Sequence, residues 1–253
     1  MYNFLTKPIY NIEKLFMAKL KDEIETASPI KYKIGLKCKN AKQKELVKTI
    51  KNNEITFCTG SAGTGKSYVT LATALDLLQK DNEYQKIIIL CNATESDDKS
   101  LGFLKGSLEE KLFPYAYPHL YTMGKIISNG NKETNGADVI KQMKKDGRIE
   151  IMSVTFLRGL TIDNAIVVIE EAQNLSKASC KTILTRIGDN CKYIFDGDLE
   201  QIDNKELRKN KDNCGLKHSM DRLKDIDGVG VIEFTKEEIV RNPIITKILD
   251  NWE

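Results

Sequence analysis

Eight residues constrain this chain more than any other stretch: Gly60-Ser61-Ala62-Gly63-Thr64-Gly65-Lys66-Ser67. They fit the pattern G-x-x-x-x-G-K-[ST] without a mismatch. Before them stands a short apolar run, Glu54 to Thr59, and after them Val69, Ala72, Thr73, Leu77 and Leu78 recur at helical spacing between Gly65 and Lys80. Strand, glycine loop and helix in this order make an anion cradle. Glycines let backbone N–H groups turn inward, and the helix N-terminus aims its positive dipole end at the same point. In this pattern Lys66 bridges the β- and γ-phosphates of a nucleoside triphosphate, and the Ser67 hydroxyl ligates Mg²⁺. Gly60, Ser61, Ala62, Gly63, Thr64, Gly65, Lys66, Ser67 and the adjoining Tyr68 are therefore the candidate nucleotide contacts. The alternative is a glycine-rich turn that binds nothing, and the flanking strand and helix argue against it.

Alternation continues beyond the loop. Lys86 to Cys91, Ile149 to Val154, Ala165 to Ile169, Lys192 to Phe195 and Val229 to Phe234 read as short buried strands, with helical stretches near 176–188, 213–225 and 242–251. Continuous apolar strands suit a mainly parallel sheet with helices on both faces, so the class is α/β. Residues 128–136, polar and glycine-containing, read as a mobile surface loop. Residues 1–39 read as an N-terminal helical appendage, with Ile12, Leu15, Phe16, Leu20 and Ile24 at helical spacing, and residues 40–253 as one domain.

Composition closes other routes. A chain of 253 residues buries an ample core without covalent staples. Its net charge of +3 excludes a protein that coats its partner with charge, so any nucleic-acid contact is a local patch. The two histidines are far apart and the six cysteines form no C-x-x-C pair, which argues against a zinc finger or ribbon. No signal peptide is visible at the start and no apolar run reaches the ~20 residues of a membrane span, so a soluble, cytoplasmic protein with reduced thiols and no membrane partner is expected. Lysine is abundant and arginine scarce: six arginines, at 148, 158, 186, 208, 222 and 241. The lysine-rich stretches 31–51 and 205–217 read either as solvated helix surface or as phosphate contacts.

A second acidic site follows an apolar strand: Ala165 to Ile169 delivers Glu170 and Glu171 at its carboxyl end, where ligands bind in open α/β sheets. This resembles a Walker B element, in which the first acid serves the metal and the second orients the attacking water. Glu170, where Asp is usual, is then the metal residue beside Ser67, and Glu171 the catalytic one. Farther on, Gly197-Asp198-Leu199-Glu200-Gln201 resembles the G-D-x-x-Q motif of superfamily 1 helicases, in which the Asp and Gln sense the γ-phosphate. Gln43, upstream of the loop, is either an adenine reader or plain helix surface. A guanine-reading N-K-x-D and a transporter-type L-S-G-G-Q are both missing.

Taken together, the segments 55–74, 100–115, 154–174, 184–190, 195–203, 215–223 and 237–248 resemble, in order and spacing, the PhoH-like family of phosphate-starvation-inducible ATPases. The resemblance covers roughly 40–253 and implies a RecA-like P-loop core, the cofactors ATP and Mg²⁺, and catalytic roles for Lys66, Glu171, Asp198, Gln201 and Arg241. It also implies a homo-oligomer, most simply a hexameric ring, in which Arg241 acts in trans on a neighbour's nucleotide and hydrolysis is coupled to single-stranded RNA or DNA. Arg158 and Arg186 also fall in matching segments and serve either nucleic acid or a structural ion pair. Phe103, Phe113, Tyr115 and Tyr117 are either core residues or stacking platforms, core being favoured. Two departures stand out: Glu170, and Cys91-Asn92-Ala93, where the family commonly carries an arginine. Without a nuclease domain or an RNA-binding extension, the chain is similar to the compact, phage-encoded members. An ATP-gated binding module with little turnover is the competing reading.

Overall fold

The strands pair into one parallel sheet. In a computed structural model, which describes residues 30–92, 108–240 and 244, the strands are β1 (Ile55–Gly60), β2 (Lys86–Cys91), β3 (Ile149–Ser153), β4 (Ala165–Ile169), β5 (Lys192–Gly197) and β6 (Val229–Phe234). Their order is β3-β2-β4-β5-β1-β6, and every pairing is parallel. All six apolar runs read from the sequence are strands. Inserting β5 between the glycine-loop strand β1 and the acidic strand β4 gives the RecA-like arrangement, in which the loops after β1, β4 and β5 share one edge.

Helices cover both faces. The helices α1 (Ala41–Asn52), α2 (Lys66–Lys80), α3 (Leu108–Gly130) and α4 (Gly136–Lys145) pack in series, and α2 lies against β2, β4 and β5. On the opposite face, α5 (Lys177–Leu184) and α7 (Gly215–Leu223) follow β4 and β5, with the short α6 (Lys205–Lys209) between them. Side chains alternate along a strand, so Phe57, Leu90, Val167, Ile169, Tyr193 and Phe195 share one face, where they meet Cys180, Ile183, Leu216 and Met220. Residues on the other face, such as Ile89, Ile166 and Val168, are equally buried. That double burial explains the unbroken apolar runs.

Two helices depart from the sequence reading. Residues 128–136 are not one loop, because α3 runs to Gly130 and α4 starts at Gly136, capped by the Asn135 side chain accepting from the Ala137 N–H. Pro114 and Pro118 lie inside α3 and hid it, since proline removes a helical N–H. The buried series Leu112, Ala116, Leu120, Met123 and Ile127 nevertheless carries the helix period.

By its contacts the chain divides into two units, Met1–Lys31 and Tyr32–Glu253. The second takes in the segment ahead of α1. Tyr32 is buried and its hydroxyl donates to the Leu75 carbonyl, and Gly35 donates to the Ile126 carbonyl. A Cβ on Gly130 would stand 2.1 Å from the Lys33 carbonyl oxygen, so this strap closes on α3 only because that position is glycine. All six cysteines are free thiols. Among the described residues no helix is long and apolar enough to cross a membrane.

Candidate nucleotide site

The glycine loop is shaped by backbone geometry first. Gly60, Gly63 and Gly65 have φ of 141°, 90° and 83°, values that L side chains rarely adopt. Gly60 is glycine for a second reason: a Cβ there would meet the Phe234 carbonyl oxygen at 2.3 Å. Gly65 caps α2 in the left-handed conformation and supplies no side-chain hydrogen bond. The first-turn N–H groups of α2 are thus left to a ligand, with the dipole behind them. Two contacts pin the loop from outside. Gln43 Nε2 donates to the Thr64 carbonyl at 2.8 Å, and the Val240 N–H donates to the Gly63 carbonyl at 3.0 Å. Lys66 Nζ donates to the carbonyls of Gly60 and Ser61 at 2.6 and 3.1 Å, which leaves one of its three N–H bonds for a phosphate.

Across from the loop, acids crowd around Ser67. Its Oγ lies 2.9 Å from Glu170 Oε2 and 2.9 Å from Asp196 Oδ2. A hydroxyl has one proton, so it donates to one carboxylate. The second contact is attractive only if that carboxyl holds its own proton or a cation sits among the three oxygens. Burial pushes Glu170 up to about 7 against the pull of the Ser67 hydrogen bond, and burial with Glu170 alongside drives Asp196 well above the usual carboxylate range. Among the described residues, the buried Glu170 Oε1 has no hydrogen-bond partner. These oxygens fit a divalent cation that shares them with phosphate. Among the described residues no three His, Cys, Asp or Glu side chains form a closed metal cage, and Mg²⁺ at a phosphate site needs only one or two carboxylates with waters.

A third group gathers around Gln173. Glu171 is exposed at the carboxyl end of β4 with φ 52°, a strained backbone for a residue with a side chain. Gln173 is fully buried. Its Nε2 donates to Glu171 Oε2 at 2.6 Å and to the Gln201 carbonyl at 3.0 Å, while its Oε1 accepts from the Asp198 N–H at 3.1 Å. One amide therefore ties the acid after β4 to the turn after β5. Asp198 Oδ1 accepts from the Glu200 N–H, and its buried Oδ2 has no hydrogen-bond partner among the described residues.

These groups border one cleft of about 1050 Å³. Ala62, Gly63, Gly65, Lys66, Ser67 and Tyr68 line it from the loop side, and Glu170, Glu171, Asp198 and Gln201 from the strand ends. Gln43 lines it too, although its amide already serves the chain: Nε2 holds Thr64, and Oε1 accepts from the Lys39 N–H at 2.7 Å. One N–H and one lone pair remain for a base. Gly60, Ser61 and Thr64 lie behind the lining as its hydrogen-bonded frame. The far wall is the strap, Ile34 to Lys37, with Asn129 and Gly130 from the end of α3. Arg241 and Phe103 lie outside the described residues. Arg158 is exposed, and Arg186 donates to the Leu160 carbonyl, which makes it a brace for that loop. Three residues escaped the sequence reading: Asp196, Gln173 and His119, whose Nδ1 is 3.9 Å from Glu170 Oε1. Asp196 ends an apolar strand just as Glu170 does, and that was a usable signal.

Set against known families, residues 35–253 match the family described as PhoH-like protein. The chain belongs to the PhoH-like family. It is 36% identical over 219 residues to the PhoH-like protein of Bacillus subtilis, covering 87% of this chain and 64% of that one. To the PhoH-like protein of Synechocystis it is 32% identical over 218 residues, covering 86% and 62%. The chain thus spans less than two thirds of the length of these curated relatives. Among solved structures, the large terminase of a thermophilic bacteriophage aligns with a TM-score of 0.47 at 11% identity, over 87% of this chain and 50% of that one. PhoH-like membership and the strand order agree with a P-loop core of the RecA-like kind.

Proposed function

We propose that this chain binds Mg·ATP in the cleft and hydrolyses it, with turnover coupled to single-stranded RNA or DNA in a ring of identical subunits. The observation that carries the reading is the convergence of a complete phosphate loop with the Ser67, Glu170 and Asp196 oxygens and with the Gln173-linked acids. Loop N–H groups and Lys66 bind the triphosphate. Ser67 and Glu170 would hold Mg²⁺, with Asp196 alongside, and the ion would supply charge neutralisation for the triphosphate. Glu171 orients a water for attack on the terminal phosphorus and takes up its proton, and ADP departs on the bridging oxygen. Asp198 and Gln201 sense the terminal phosphate, and Gln173 passes a change there to Glu171. The ring is hexameric by family resemblance, with Arg241 of the next subunit completing the site.

A nucleotide-gated module with little turnover is the second reading. Glu170 in place of Asp favours it, as does the 2.6 Å hydrogen bond that already occupies Glu171. Phosphate release, measured with and without oligouridine or oligothymidine, separates the two. Wild type is expected to turn over ATP faster with one of the oligonucleotides, and Glu171→Gln to keep ATP binding while losing about 100-fold or more in rate. Tight ATP binding with phosphate release no faster than Lys66→Ala selects the gated module. A rate indifferent to both oligonucleotides removes the coupling.

A further inference from the structure

Away from the cleft, α3 carries a row of rings that face solvent. Phe113, Tyr117 and Tyr121 follow one another at four-residue spacing, which sets them on one line along the helix. They are 41%, 52% and 52% exposed, whereas Leu112, Ala116, Leu120 and Met123 on the same helix are buried. Packing against the sheet therefore accounts for one face of α3 and not for this one. The core placement favoured for Phe113, Tyr115 and Tyr117 does not hold, since Tyr115 is also 50% exposed. The rings touch: Phe113 and Tyr117 have centroids 5.7 Å apart, and Tyr117 and Tyr121 stack at 6.1 Å. Cations close both ends, with Lys125 Nζ 4.5 Å above the Tyr121 ring and Lys144 Nζ of α4 5.4 Å from the Phe113 ring.

The lysines decide what kind of partner fits. Cores of protein interfaces gather Tyr and Phe but exclude Lys, whereas a single-stranded nucleic acid needs aromatic faces for its bases with ammonium groups beside them for its phosphates. Lys141 and Lys145 on α4 are exposed near Lys144 and extend the positive side. Two acids, Glu109 in line with the row and Glu110 next to it, fall at its N-terminal end. The same helix also reaches the nucleotide site: Thr122 lines the cleft, and His119 Nδ1 is 3.9 Å from Glu170 Oε1.

We propose that Phe113, Tyr117 and Tyr121 form a stacking platform for single-stranded nucleic acid, with Lys125 and Lys144 on its phosphates, and that α3 is the rigid link between this platform and the ATP cleft. The inference rests on the nucleic-acid coupling proposed above, and names its surface. The test uses the full chain and fluorescein-labelled oligouridine and oligothymidine of about 20 nucleotides, read by anisotropy. Each variant is also checked for basal phosphate release and sedimentation. Tyr117→Ala with Tyr121→Ala is expected to weaken binding about 10-fold or more, while Tyr117→Phe with Tyr121→Phe keeps the rings and the affinity. Lys125→Gln lowers the salt dependence by about one phosphate contact. Basal phosphate release and sedimentation stay as in wild type. Oligonucleotide binding equal in wild type and the alanine pair overturns the platform and leaves the coupling intact. Wild type that binds neither oligonucleotide sinks the coupling, and the platform with it. A smaller sedimenting species for the alanine pair assigns the row to a contact between copies of the chain and overturns the proposal.

Discussion

A carboxylate that orients water must hold one direction while charge shifts beside it, and Glu171 is held twice, by its left-handed backbone and by Gln173. Replacing Gln173 with Ala removes three hydrogen bonds at once and leaves the phosphate loop untouched. The expected outcome is a kcat lower by about 10- to 100-fold with ATP affinity within a few-fold, measured by phosphate release and by nucleotide binding. Equal losses in both would make Gln173 a merely structural residue. Asp196 makes the complementary prediction. Asp196→Asn is expected to raise the Mg²⁺ concentration needed for ATP binding by about 10-fold, read from a titration at fixed ATP. The placement of Lys66, Ser67, Glu170 and Glu171 at one cleft was legible in the sequence from their spacing and flanking strands. Gln173 and Asp196 were not, because their roles lie in partners from distant segments, such as Ser67 and Asp196 at a sequence separation of 129. Gln43 was legible as a position, but its engagement by Lys39 and Thr64 needed coordinates.

Strands were easy to read and helices less so, for a physical reason. A strand buried on both faces is a continuous apolar run, as β4 is, whereas α3 is buried on one face only and broken in pattern by Pro114 and Pro118. The closure of the strap on α3 was invisible in sequence, since it depends on glycines meeting backbone, and it yields an element-level test. Gly130→Val is expected to push Lys33 away and weaken ATP binding several-fold while the loop residues stay in place, because the strap forms the far wall of the cleft. Binding as tight as wild type would show that the nucleotide does not use that wall. A second test concerns the α1–α2 contact. Burial raises the Asp76 carboxyl, but hydrogen bonds from Lys80 and Lys51 outweigh it and hold the pKa below the ordinary value of 3.8. The folded form thus binds its proton less readily than the unfolded chain. The stabilisation is present above 3.8 and lost as pH falls through the folded value. Both lysines reach solvent, Lys80 the more exposed of the two, so Asp76→Asn is expected to cost only about 0.5 kcal/mol at neutral pH. Denaturant melts should converge with wild type in acid.

On the scale of the whole molecule, scarce arginine and a net charge of +3 point to contacts made at a few places. In the proposed ring, Lys66 serves the nucleotide of its own subunit and Arg241 that of the next. Lys66→Ala and Arg241→Ala are therefore each expected to be inactive alone, and a mixture of the two to recover part of the wild-type rate through hybrid sites. A mixture as inactive as its parts would place both residues in one subunit's site. The fold class, the parallel sheet and the loop edge that gathers the site all followed from strand–loop–helix order, while the aromatic row on α3 emerged only once burial separated its two faces. The claim beneath all of this is that the cleft between the phosphate loop and Glu171 hydrolyses ATP. Steady-state phosphate release by purified wild type with Mg·ATP, beside Lys66→Ala prepared in the same way, tests it most directly. The account predicts turnover by wild type at least about 100-fold above the variant, and a wild-type rate equal to that of Lys66→Ala would contradict it.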